Sequence, residues 1–258
     1  MLGRVWNIAR NACRPGYATV MLRKAIVRVL EFPGRSESAQ ARAWCEAHAM
    51  PYEPLLERLD ASLWAETQAF TRALSRQATS ALQQLDVHLG GGGHYPLLYF
   101  LVRLTKPAVA VETGVAAGYS TQAMLAAMDR SGTGHLYSSD FPYFRLKAPT
   151  QYIGWLVEER LKPRWDLLLE GDRINLAAIV RKAGSINLFH YDSDKSYAGR
   201  RFALTYIEPH LAPRAIVVMD DIQDNGFFRD YVEQTGTPFH VFRFEEKYLG
   251  VLGLDVPR

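Results

Sequence analysis

The chain has 258 residues, 48% hydrophobic and 22% charged, a balance that excludes a disordered or fibrous chain and leaves ample material for a core. Cys13 and Cys45 allow neither a disulfide framework nor a metal-finger spacing, so a reducing cytoplasm is the expected setting. No apolar run reaches the roughly 20 residues of a membrane span, and arginines interrupt the apolar stretches near the start, so neither a transmembrane segment nor a signal peptide is expected.

The net charge of +3 is unevenly spread. Residues 1–35 hold seven cations (Arg4, Arg10, Arg14, Arg23, Lys24, Arg28, Arg35) and one anion, Glu31; seven minus one leaves +6 here and −3 for the rest. Met21, Leu22, Ala25, Ile26, Val29 and Leu30 share one helical face, with Arg23, Lys24 and Arg28 mostly off it. The expectation is a helix packed on its own domain or on a second subunit, as in a homodimer, with its arginines solvated. An anionic membrane surface or an acidic partner is the alternative. Pro33-Gly34 closes this arm, and residues 35–50 are polar and rich in small side chains.

From Pro51, leucines at 55, 56, 59, 63, 74, 82, 85 and 89, with Phe70, recur at helical spacings and predict one long scaffold helix ended by Gly90–Gly93. Tyr95 beside that hinge could close over a ligand, though packing is the simpler role. A further helix, Pro96 to Thr105, leads into the first strand.

Residues 108–124, AVAVETGVAAGYSTQAM, read as strand, glycine turn and helix start, an arrangement that gathers backbone N–H groups where a ligand can approach. The turn lacks both the Gly-x-Gly-x-x-Gly of nicotinamide enzymes and the Gly-Lys-Ser/Thr of a P-loop. Strands are then expected at Gly134–Asp140, Trp165–Glu170, Ser185–Asp192 and Arg214–Asp220. Helices fall between them at Tyr152–Leu161, Asn175–Lys182 and Ser196–His210, with Asp230–Gln234 following. Such alternation predicts an α/β fold: a Rossmann-like, doubly wound, mostly parallel sheet. Phe239–Phe244 and Tyr248–Leu254, three residues apart, can join only as an antiparallel hairpin. The expected division is a basic, helical extension over 1–93 and the α/β domain over 94–258.

Glu112, Asp140, Asp172, Asp192 and Asp220 all fall at strand ends, the rim where such sheets bind ligands. Asp140 is placed to accept from two ribose hydroxyls. Asp192 with Asp220 and Asp221 offers three oxygen ligands from neighbouring strand ends, a set suited to Mg²⁺ or another hard divalent cation. Lys195, three residues past Asp192, puts an ammonium nearby whose pKa should fall beside a cation, making it a candidate general base. Tyr119, Phe141, Tyr143, Phe144 and Tyr197 are candidates for an acceptor pocket.

The segments VETGVAAGYS, DSDKSY and VVMDD, over roughly Tyr95 to Leu254, resemble the metal-dependent O-methyltransferases of the class I S-adenosylmethionine-dependent fold. This group includes catechol, caffeoyl-coenzyme A and macrolide-sugar O-methyltransferases. The resemblance implies that Glu112, Gly114, Gly118 and Ser120 form the turn holding the methionine part of S-adenosylmethionine. Asp140 would hold the ribose, and Asp172 with Arg173 would border the adenine. Asp192, Asp220 and Asp221 would ligate the metal, and Lys195 with Asp192 would carry the catalysis. Two positions depart from the group: 221 is Asp where the catechol and caffeoyl types carry Asn, and Lys195 stands where the aliphatic-sugar branch usually has His. The implied reaction is O-methylation of a small molecule or sugar-containing natural product with a vicinal diol or catechol. A nucleic-acid methyltransferase or RNA binder using the basic arm is the alternative. The net acidic core and the absence of the Asn/Asp-Pro-Pro-Tyr/Phe motif count against it.

Overall fold

The computed structural model describes residues 2–14, 16–30, 35–87, 89 and 92–255. Pro33-Gly34 and Gly90-Gly91 lie outside the described residues, as do Glu31 and the side chains of Arg4, Arg23, Lys24, Arg28, Val29, Leu30 and Arg35. The chain opens with helices α1 (Leu2–Ala12), α2 (Tyr17–Leu30) and α3 (Arg35–His48), a two-residue strand β1 (Ala49–Met50), then α4 (Glu53–Leu59), α5 (Ala61–Gln83) and α6 (Tyr95–Thr105). The α/β part follows as β2 (Val109–Thr113), α7 (Tyr119–Ser131), β3 (His135–Ser139), β4 (Trp165–Leu168), α8 (Asp172–Ala183), β5 (Ile186–Tyr191), α9 (Tyr197–Ile207), β6 (Leu211–Met219), α10 (Phe227–Thr235), β7 (Phe239–Phe244) and β8 (Lys247–Leu252).

These strands form one sheet in the order β1-β7-β8-β6-β5-β2-β3-β4. β8 runs antiparallel to β6 and β7, and every other pairing is parallel. From β2 the chain winds outward through β3 and β4, then returns to β5 on the other side. The switch point therefore lies between β2 and β5, where an open α/β sheet offers a crevice beyond its carboxyl ends. The central strands are apolar because helices cover both faces. One face packs Leu98, Phe100, Leu101 and Met124; the other packs Leu176, Ile179, Phe189 and Phe228. Leu56, Leu63 and Leu74 of the N-terminal helices share the first of these cores, so residues 53–83 are built into the domain.

Three expectations need correction. The long helix from Pro51 is two helices, because Asp60 takes extended backbone (φ −162°) and its Oδ1 accepts from Leu63 N at 2.8 Å, capping a new start. Residues 35–50, read only as polar, form α3 and β1, and β1 extends the sheet beyond the hairpin by pairing parallel to β7. Tyr152–Leu161 is not a helix but a chain of turns leading into a 3₁₀ segment, Glu159–Arg164. Its amides are drawn to the glycine turn instead: Gly154 N donates to Ala116 O and Leu156 N to Ala117 O, both at 2.9 Å. Of the apolar face expected to pack on the domain or on a second subunit, Leu22 and Ile26 stand exposed on this chain.

Candidate active site

β2 ends in Glu112 and Thr113, and β5 ends one residue before Asp192. The two strands pair in register, Thr113 opposite Tyr191, and Asp192 N donates to Thr113 O at 2.9 Å. Gly114 (φ +85°) makes this approach feasible, since a Cβ there would strike the Asp192 carbonyl. β6 runs beside β5, so Asp220 and Asp221 emerge next to Asp192, with Asp220 N donating to Tyr191 O at 2.9 Å. One carboxylate oxygen from each of Asp192, Asp220 and Asp221 lies within 4.8 Å of the others. The glycine hinge faces the same point: a Cβ on Gly93 would sit 3.2 Å from Asp220 Oδ2 and 3.3 Å from Asp192 Oδ2.

The electrostatics of this cluster are uneven. Asp220 is buried, its Oδ2 has no hydrogen-bond partner among the described residues, and burial together with the Asp192 charge pushes its pKa up to about 7. Burial acts on Asp221 in the same sense, but Lys195 and Lys247 outweigh it and hold its carboxyl below the usual range. Lys195 Nζ bonds to Asp192 Oδ1 and lies 2.9 Å from Asp221 Oδ2; Lys247 Nζ lies 3.4 Å from Asp221 Oδ1. Burial pulls Lys195 down, yet Asp192, Asp220 and Asp221 together hold it above the ordinary lysine value.

Two contributors carried no sequence signal. Arg200, fully buried on α9, donates through Nη1 to Asp220 O and through Nη2 to Asp221 O, each at 2.8 Å. This fork fixes the turn in which Asp221 takes a left-handed backbone (φ +53°). Lys247 comes from the far hairpin, 26 residues beyond Asp221, and only the antiparallel return of β8 beside β6 delivers it.

The residues expected to hold the cofactor fall along the same rim, though several are occupied by the protein itself. Glu112 is fully buried and accepts from Ser120 Oγ (2.5 Å), Thr121 Oγ1 (2.7 Å) and Ser138 Oγ (2.9 Å), with His190 Nδ1 at 3.6 Å. Glu112 and Ser120 thus lock β2 to α7. Asp140 Oδ2 accepts from Val115 N (3.0 Å) and Ala116 N (2.8 Å), and its Oδ1 from Phe141 N (2.6 Å). Asp140 therefore shapes the glycine turn that it flanks. Gly118 starts α7 and abuts Gly154, whose Cα would lie 2.9 Å from an added Cβ. Asp172 accepts from Ser139 Oγ (2.6 Å) and Ser193 Oγ (2.5 Å), tying α8 to the ends of β3 and β5. Arg173, exposed on the first turn of α8, lies over the Phe202 ring of α9 at 4.1 Å. Among the candidate pocket aromatics, Tyr119 sits by the hinge with Tyr95 (5.5 Å), whereas Tyr197 bonds to Asp230 on the α9–α10 side.

A doubly wound sheet closed by an antiparallel hairpin, with a glycine turn at its switch point and acids on its carboxyl rim, defines the Rossmann-like class of α/β proteins that bind nucleotide-containing ligands. Residues 111–222 match the model of a methyltransferase domain. Among solved structures, the chain is similar to the O-methyltransferase TomG of Streptomyces achromogenes, involved in tomaymycin synthesis and solved with S-adenosylmethionine (18% identity, 70% of this chain and 88% of that one, TM-score 0.51). It is similar also to an O-methyltransferase of Bacillus cereus in complex with S-adenosylhomocysteine (16%, 74% and 90%, 0.50). A third is a putative caffeoyl-CoA O-methyltransferase of Staphylococcus aureus (11%, 73% and 99%, 0.53). At these identities the likeness is one of fold. No curated protein matches the chain by sequence. Over residues 111–222, then, the chain matches a methyltransferase domain, and its sheet has the Rossmann-like fold of those structures.

Proposed function

We propose that this chain is a divalent-metal-assisted O-methyltransferase that methylates a hydroxyl of a small molecule bearing a second oxygen beside it, a vicinal diol or catechol. The observation that carries this reading is the meeting of Asp192, Asp220 and Asp221 within 4.8 Å beside the glycine turn. A divalent cation fits this donor set in two respects. Asp220 Oδ2 is buried without a donor among the described residues, and Gly93 keeps clear the space on which the Asp192 and Asp220 Oδ2 atoms converge. All-oxygen carboxylate ligands suit Mg²⁺.

Asp192, Asp220 and Asp221 would hold the ion, which when bound supplies a Lewis acid that lowers the pKa of an acceptor hydroxyl. S-adenosylmethionine, when bound, supplies the methyl group on a sulfonium centre, a cation that an acidic rim favours. Gly114 and Gly118 would line its methionine end, with Glu112 and Ser120 bracing the turn behind them. Asp140, at the end of β3 beside the glycine turn, would border the ribose, and Asp172 with Arg173 would border the adenine. Lys195 is the group at hand for the acceptor's proton. Its protonated form donates to Asp192 and Asp221, and it becomes a base to the extent that those carboxylates are neutralised. Holding acceptor and donor in line can contribute on the order of 7–11 kcal/mol at best. In this reading residues 94–258 carry the chemistry, the helices of residues 53–83 brace their core, and the two unpaired cysteines, Cys13 exposed and Cys45 buried, suit a reducing cytoplasm.

The test is transfer of a radiolabelled methyl group from S-adenosylmethionine to a panel of catechols and vicinal diols, with Mg²⁺ or with a chelator. The expected result is Mg²⁺-dependent labelling of at least one acceptor, abolished in Asp192→Ala. Labelling unaffected by the chelator would remove the metal from the account.

A further inference from the structure

Among the described residues six large hydrophobic side chains stand exposed, and three of them, Trp6 (66%), Leu22 (63%) and Ile26 (47%), belong to α1 and α2. These helices are docked. Asn11 is buried and its Nδ2 donates to Phe144 O (2.8 Å) and Leu146 O (3.1 Å), while Asn7 Nδ2 donates to Arg145 O (3.2 Å). On α2, Tyr17 packs on Phe141 with ring centroids 5.0 Å apart, and Val20 lies against Gly171. The opposite face of α2, with Ala18, Leu22, Ala25 and Ile26 at positions i, i+4, i+7 and i+8, is exposed throughout. One apolar face already seats the helix, so folding supplies no reason for the second.

We propose that this outer face of α1 and α2 docks on an anionic lipid bilayer. Residues 1–35 carry +6 and the remainder −3, so one end of the chain is attracted to anionic headgroups and the rest is held off. Among the described side chains Arg10 is exposed, its guanidinium 6.0 Å from the Trp6 ring centre. A tryptophan beside an arginine suits the headgroup level, with Leu22 and Ile26 reaching the acyl boundary. A second copy on the same patch would set +6 against +6, since a two-fold interface pairs a surface with itself. A nucleic acid would use the cations and leave Leu22 and Ile26 uncovered.

The full-length chain is sedimented with vesicles of phosphatidylcholine alone and of phosphatidylcholine mixed with phosphatidylglycerol. At about 0.1 M salt, where charges act over roughly 10 Å, anionic vesicles should bind on the order of tenfold more tightly or better, given the strength of each basic residue near such a surface. The double variant Leu22→Ser, Ile26→Ser should lose most of that binding while keeping the wild-type circular dichroism. Trp6→Phe, a milder change, should remove a lipid-induced blue shift in fluorescence. Three results would overturn the proposal: equal partition into both vesicles, concentration-dependent self-association abolished by the double variant, or salt-steep RNA binding that the variant leaves intact.

Discussion

Asp220 holds the least favourable position in the site: a carboxylate removed from water, beside Asp192 and Asp221, with one oxygen lacking a donor among the described residues. Such a group is costly unless a cation engages it. Asp220→Asn should therefore leave the ion-free protein unchanged or more stable in thermal unfolding. The same variant should lower Mg²⁺ affinity by more than about tenfold, since even outer-shell changes cost that much. Arg200 makes the complementary case. Its planar fork serves the Asp220 and Asp221 carbonyls together, and a lysine cannot do so from a single point. Arg200→Lys should cost about 1–3 kcal/mol in urea unfolding, the range for leaving a buried acceptor unmade. It should also weaken Mg²⁺ binding while S-adenosylhomocysteine still binds.

At the scale of elements, the segment after residue 150 shows how tertiary contact overrides local pattern. Tyr152–Leu161 has helical composition, but Gly154 takes φ +70°, the Trp165 ring fills the space where its Cβ would be, and its amide bonds to Ala116. Gly154→Ala should destabilise the chain by about 1–3 kcal/mol, the combined scale of a left-handed alanine and local overpacking. Because Ala116 and Ala117 move with it, S-adenosylhomocysteine affinity should fall in calorimetry. The start of α6 gives a pH prediction. His94 is fully buried, its Nδ1 accepts from Leu97 N at 3.3 Å, and burial lowers its pKa from 6.5 to about 3. As pH falls, the unfolded chain takes up this proton first, so the contribution is complete above about pH 6.5 and is lost progressively toward pH 3. The slope approaches about 1.4 kcal/mol per pH unit. His94→Asn keeps a capping acceptor and should flatten that slope in acid unfolding.

For the molecule as a whole, what the sequence disclosed depended on how local each signal was. The parallel strands were legible as short apolar runs ending in acids, and the closing hairpin from the three residues between its strands. The Asp192, Asp220 and Asp221 cluster was legible because one sheet places the ends of β5 and β6 side by side. Partners that arrive by topology were not: Lys247 reaches Asp221 through the hairpin, and β1 finds the sheet edge from residue 49 by pairing with Val241. Nor could helical periodicity tell which apolar face of α2 meets the protein, since both faces carry apolar residues. The break at Asp60 was a one-residue capping signal set inside a continuous leucine pattern.

Calorimetric titration of Mg²⁺ into the wild-type chain, Asp192→Ala and Asp220→Asn, each saturated with S-adenosylhomocysteine, tests the proposed metal site most directly. The expected result is one ion per wild-type chain and little or no binding to either variant, with S-adenosylhomocysteine affinity preserved in all three. Equal Mg²⁺ binding by wild type and both variants would contradict it.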